Sequence, residues 1–169
     1  MPSTAGKVLP QGCSVWPAFW SFGPSGSNSG EIDIIEYVNN NTDVSTSLHT
    51  SYGCDQYSAA TDQYTGYAGT KNCWVKANDQ SPNAGCGFKG QKNTVGAAFN
   101  RAGGGVYAME WDTRQHIRVF YFPRGSIPQD IQNKKPNPSL WGKPYARFEI
   151  GSSCSGSNCP AGMKSDNIN

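Results

Sequence analysis

Gly30-Glu31-Ile32-Asp33-Ile34-Ile35-Glu36-Tyr37 is the stretch on which the reading of this chain turns. Only 12 of the 169 residues are Asp or Glu, and three of them fall between positions 31 and 36, set among three isoleucines. The isoleucines favour a half-buried strand. Side chains alternate across a strand, so Glu31 and Asp33 share a face. Glu36 lies an odd number of positions from both, so a regular strand would place it with Ile32 and Ile34 on the core side. An unpaired carboxylate there would cost several kcal/mol, on the order of the penalties for unpaired buried charge. Either Glu36 has a buried partner, or a β-bulge near Ile34-Ile35 returns it to the face of Glu31 and Asp33.

With the bulge, three carboxylates line one groove. A carboxyl pair ~5–5.5 Å apart is the arrangement for retaining glycoside hydrolysis, in which one attacks the anomeric carbon and the other carries the proton. Crowded acids suppress one another's ionisation, which raises at least one pKa as the acid role requires. The competing readings are an acidic edge strand that blocks aggregation and a calcium site.

Composition narrows the rest. Charged residues make up 15% and aromatic residues 12%, with 20 Gly and 11 Pro, which suits an all-β extracellular domain. The formal net charge of +2 comes with no basic run, which argues against nucleic acid as a partner. No apolar stretch is long enough for a bilayer-spanning helix. Cys13, Cys54, Cys73, Cys86, Cys154 and Cys159 lack the short paired spacing of a zinc site and are read as three disulfides of open pairing. The sequon Asn40-Asn41-Thr42 agrees with secretion. Residues 1–7 do not lead into an apolar run and so are no signal peptide. The expectation is therefore a secreted protein whose true N-terminus lies outside this sequence.

Along the chain, 1–13 is turn-rich, and Val15–Trp20 reads as a short strand with Trp16, Ala18 and Trp20 on one face. Residues 22–30 read as a loop before the acidic strand. A turn at 39–43 then leads into a strand at 44–51 that pairs back as a hairpin. Residues 53–94 read as irregular. Strands are expected at 96–99, 106–112, 116–122 and 146–150, with no long helix. Short strands between turn signals predict a β-sandwich forming one domain over 1–169.

The ordered set Trp16-Pro17-Ala18-Phe19-Trp20, the acidic motif, Leu48-His49-Thr50, Gly103-Gly104-Gly105-Val106-Tyr107-Ala108 with Glu110-Trp111, and Phe122-Pro123-Arg124-Gly125 with Ile127-Pro128 resembles glycoside hydrolase family 16, in its fungal laminarinase-like branch. The resemblance implies a β-jelly-roll sandwich of the concanavalin A-like kind, with a substrate cleft across one sheet. It also implies internal cleavage of β-1,3 or mixed β-1,3/1,4 glucans with retention. A monomer without a cofactor is expected, and no acidic cluster away from the catalytic strand supports the structural calcium that some family members hold. By the same resemblance Glu31 is the nucleophile, Glu36 the general acid/base, and Asp33 the residue that positions and tunes them.

The candidate substrate contacts are Trp20, His49 and Trp111. Trp20 is either a stacking surface or core, and His49 is within reach of Asp33 or a sugar hydroxyl. Glu110 is read as structural and Trp16 as core. Gly26 stands where many relatives carry a tryptophan. Relatives also have strands on both sides of this segment, so the chain is expected to be the middle of a catalytic domain, with little activity alone. A glucan-binding protein without turnover and a transglycosylase are the alternative functions.

Overall fold

The structure of the chain, a computed structural model, describes residues 3–6, 8–24 and 26–151, with side chains over 8–24 and 29–151. Cys154, Cys159 and the tail up to Asn169 lie outside the described residues. The strands are β1 (Ser3–Gly6), β2 (Ala18–Gly23), β3 (Gly26–Glu36), β4 (Asp43–His49), β5 (Tyr67–Ala68), β6 (Cys86–Lys92), β7 (Gly105–Asp112), β8 (His116–Pro123) and β9 (Ala146–Glu149). They form two antiparallel sheets, a five-stranded one in the order β2-β3-β4-β6-β5 and a four-stranded one in the order β1-β7-β8-β9. The fold is the expected all-β sandwich of jelly-roll type.

Alternation explains the core. Ile32, Val44, Leu48, Cys86 and Phe88 point inward from the five-stranded sheet. Tyr107, Met109, Ile117, Val119, Ala146 and Phe148 meet them from the other. Phe88 and Phe148 touch edge-on across the gap, ring centroids 5.1 Å apart. Such edge-to-face pairs add to the stabilisation from area burial. The disulfide Cys73–Cys86 ties the long 50–85 excursion to β6, and Cys54 is disulfide-bonded as well.

Several local expectations need correction. Cys13 is exposed and free, so the three-disulfide reading is not met there. Residues 22–30 are mostly strand, because Gly23 lets the two backbones close up. A Cβ at Gly23 would lie 2.3 Å from the Ser29 Cβ. The first cleft strand starts at Ala18, not Val15. Residues 53–94 contain β6, an interior strand hidden in sequence because its inward face carries only Cys86 and Phe88 before Gly90, too short an apolar alternation to stand out. Residues 96–99 belong to a short helix, α1 (Gly96–Arg101), not a strand. Gly96 and Phe99, three apart, are the buried residues of this helix, which is a helical spacing, and Ala97 and Ala98 favour it.

Candidate active site

The acidic strand carries the bulge. Against β4, Asp33 faces Ser47 and Glu36 faces Ser45, so Ile34 and Ile35 together oppose Thr46 alone. Against β2, Asp33 faces Trp20, Ile35 faces Phe19 and Glu36 faces Ala18, which makes Ile34 the inserted residue. The consecutive Ile34 and Ile35 are both buried, at 1% and 5% exposure, and Glu31, Asp33 and Glu36 share the outer face. β3 is flanked by β2 and β4, so the edge-strand reading does not hold.

Electrostatics separate the acids. Asp33 is only 4% exposed, and its Oδ2 accepts a hydrogen bond from His49 Nε2 at 3.0 Å. His49 stands opposite Glu31 on β4. Burial alone would lower the His49 pKa. The hydrogen bond to Asp33 and the charges of Asp33, Glu31 and Glu36 outweigh burial and hold it above the usual value. Nothing larger than glycine fits behind the imidazole. Gly85 has φ +61°, and a Cβ there would lie 2.8 Å from Nδ1.

Glu36 also has a raised pKa. Burial is the largest cause, the Asp33 carboxylate comes next, and Glu31 adds least. A hydrogen bond from Trp16 and the charge of His49 pull the other way. The expected direction is present, but desolvation outweighs the crowding of acids.

Trp16 corrects the sequence reading. It is 68% exposed instead of core, and its indole Nε1–H donates to Glu36 Oε1 at 2.7 Å. Its segment is fastened to the end of β3. Asn39 N–H donates to the Val15 carbonyl at 2.8 Å, and Ser14 N–H donates to Asn39 Oδ1 at 2.8 Å. Tryptophan reads as core in sequence because its ring is apolar, and only the position of its N–H reveals the role.

Trp20 pairs with Asp33 across the ladder, and Phe22 pairs with Glu31. Their rings stack with centroids 4.8 Å apart and planes at 19°, both about half exposed. This flat apolar surface flanks the acids. The sequence reading passed over Phe22, although its period-2 spacing from Trp20 was the available signal. The structure does not bring Trp111 to the site. It lies on β7 of the other sheet, alternates with Tyr107 and Met109, and packs on the core with its indole nitrogen buried.

Glu31, Asp33 and His49 place potential ligand atoms within 4.8 Å of one another. A metal there would have to displace the Asp33–His49 hydrogen bond. Calcium, which takes six to eight oxygens, finds an imidazole and too few carboxylates.

Comparison with known proteins agrees with this geometry. Residues 7–163 match the model of the XgeA-like, catalytic GH16 domain. The chain is 42% identical over 152 residues to an endo-1,3(4)-beta-glucanase of Arthroderma benhamiae, across 89% of this chain and 31% of that protein. The solved laminarinase 16A of Phanerochaete chrysosporium, holding beta-glucans in both donor and acceptor sites, superposes with a TM-score of 0.83 at 35% identity. That match covers 99% of this chain and 54% of the laminarinase. An elongating GH family 16 beta-1,3-glucosyltransferase gives a TM-score of 0.82 at 33% identity, over 98% of this chain and 52% of that one. The chain thus spans about a fifth to a third of the length of the curated relatives it matches and about half of the solved chains. A bulged acidic strand in the middle of an antiparallel sandwich, together with a match over nearly the whole chain, makes this protein a member of glycoside hydrolase family 16.

Proposed function

We propose that this chain carries the catalytic strand of a secreted endo-glucanase that cuts β-1,3 or mixed β-1,3/1,4 glucans with retention. The observation that carries the proposal is the bulge, which sets three carboxylates on one face with Glu36 held to a raised pKa. Ionised Glu31 attacks the anomeric carbon. Glu36 gives its proton to the departing glycosidic oxygen, and a covalent glycosyl ester remains on Glu31. Glu36 then takes a proton from water, the water oxygen bonds to the anomeric carbon, and Glu31 leaves. Because Oε1 of Glu36 accepts the Trp16 N–H, the transferable proton sits on Oε2. Asp33, bonded to His49, lies between the two glutamates. The Trp20–Phe22 surface offers pyranose rings a face to stack on. The disulfides suit an oxidising, extracellular location.

The test is incubation of the chain, set within a domain of the length of its solved family 16 relatives, with laminarin and lichenan, followed by reducing-end release and by NMR of the first product anomer. Release of the β-anomer is expected. No release, or first release of the α-anomer, would overturn the proposal. A second outcome has support from the similarity to an elongating glucosyltransferase. The same ester can be opened by a sugar hydroxyl in place of water, and products longer than the substrate would reveal it.

A further inference from the structure

Ile34, the inserted residue of the bulge, has no ladder partner on either neighbouring strand. A buried carbonyl left without a donor is costly, so something must satisfy it. Two hydroxyls do so from the core. Thr46 Oγ1 lies 3.0 Å and the Tyr145 hydroxyl 3.2 Å from the Ile34 carbonyl oxygen, and the two hydroxyls are 2.6 Å apart. Each hydroxyl has one proton. Two protons cannot serve all three contacts, so one hydroxyl donates to Ile34 and the other donates to the first, an open chain of two hydrogen bonds that ends on the carbonyl.

Thr46 is the one β4 residue that faces the bulge, and it is fully buried. Tyr145 enters from the other side of the sandwich. Its N–H donates to the Val119 carbonyl of the four-stranded sheet, and its carbonyl accepts Gly66 N–H. A Cβ at Gly66 would lie 2.4 Å from that Tyr145 oxygen, so the approach requires glycine. Tyr145 is thus anchored by its backbone on both sides, and its hydroxyl reaches the carbonyl of a residue 111 positions away.

We propose that Tyr145 and Thr46 are positioning residues that clamp the bulge and so set where Glu36 stands relative to Glu31 and Asp33. Bulges bend and twist their strand, and an unclamped one can relax by letting the inserted residue drift. Glu36 lies two residues from the clamped carbonyl. A misplacement of ~1 Å at a reacting group can cost on the order of 10²-fold in rate.

Tyr145→Phe tests the clamp, because it removes the hydroxyl and keeps the ring. Tyr107→Phe is its control. Tyr107 is equally buried, belongs to the same aromatic cluster, and donates its hydroxyl to the Thr94 carbonyl at 2.6 Å, away from the bulge. The first readout is the titration of the Glu36 carboxyl by carbon NMR in the labelled chain. In Tyr145→Phe the midpoint should fall by about half a pH unit or more, because a loosened Glu36 regains water and burial is what raised it. In Tyr107→Phe it should stay. The second readout rests on the glycosidase reading above: kcat for laminarin should fall about tenfold with KM nearly unchanged.

An unmoved midpoint in Tyr145→Phe, or an equal shift in Tyr107→Phe, overturns the clamp. If Tyr145→Phe does not fold, Thr46→Val removes the other hydroxyl, and an unmoved midpoint there is equally fatal. Absence of turnover in the wild-type domain of its relatives' length would count against the glycosidase reading alone, since the titration decides the clamp by itself.

Discussion

Glu36 on β3 and Glu110 on β7 are both partly buried carboxylates on the outer faces of antiparallel sheets, yet their acidities move in opposite directions. Burial raises both. At Glu36 burial prevails, helped by the negative charge of Asp33, and only an uncharged indole N–H and a His49 already bonded to Asp33 oppose it. At Glu110 burial is outweighed by the hydrogen bond and charge of Arg118 and by His116 at 3.3 Å, and the pKa falls. Arg147 bonded to Glu149 extends the second cluster into a cation-matched network. A matched carboxylate stays ionised and holds strands together. A buried carboxylate short of cations holds a proton to higher pH, which is what an acid catalyst needs.

The strongest way to break this contrast is to remove one acid from each face. Glu31→Gln should reduce laminarin turnover by at least ~10³-fold, while Glu110→Gln should leave it within a few-fold. Parallel reducing-end assays decide, and comparable losses would end the distinction between the faces. The next largest effect is expected at Glu36. Glu36→Ala should slow glucan cleavage by about 10²–10⁴-fold yet act far less on activated aryl glycosides, which need little protonation. Added azide should yield a glycosyl azide of retained configuration, and an inverted azide would exchange the roles of Glu31 and Glu36.

Trp16→Phe sharpens the contrast by removing a single donor. The indole hydrogen bond lowers the Glu36 pKa, so its loss should raise it further and move the alkaline limb of kcat/KM to higher pH. The measured pH profile would exclude this role for Trp16 if that limb stayed in place. The smallest effects are in stability, and their signs should differ. The Glu36 contribution is present below the unfolded carboxyl pKa and is lost as pH rises through the raised folded value. The Glu110 contribution is present above the unfolded value and is lost as pH falls through the lowered folded one. Urea melts across pH should therefore show Glu36→Gln gaining on wild type as pH rises. Glu110→Gln should lose stability at neutral pH and converge with wild type in acid, with shifts within about 1 kcal/mol.

The acid strand shows why part of this site was legible from the chain. Period-2 alternation is a local steric property, so the mismatch of Glu36 with Ile32 and Ile34 demanded either a bulge or a partner, and the bulge is present. His49 could be placed beside Asp33 because a hairpin brings neighbouring strands together with little loop closure. Other features stayed hidden. β6 carries few apolar residues, and α1 shares a short apolar run with what strands use, so neither announced its type.

Sequence by itself determined the acid trio, its need for a bulge or a buried partner, and an all-β sandwich, because these follow from charge, burial and the two-residue period of a strand. Tertiary structure alone decided the fates of the tryptophans. Trp16 and Trp111 are equally amphipathic in sequence, and one turned its N–H to Glu36 while the other packed under the opposite sheet. It alone also brought Tyr145 to the Ile34 carbonyl. Alternation says which side of its own strand a residue occupies. It says nothing about which distant strand lies across the core, and that is set by how the two sheets close upon each other.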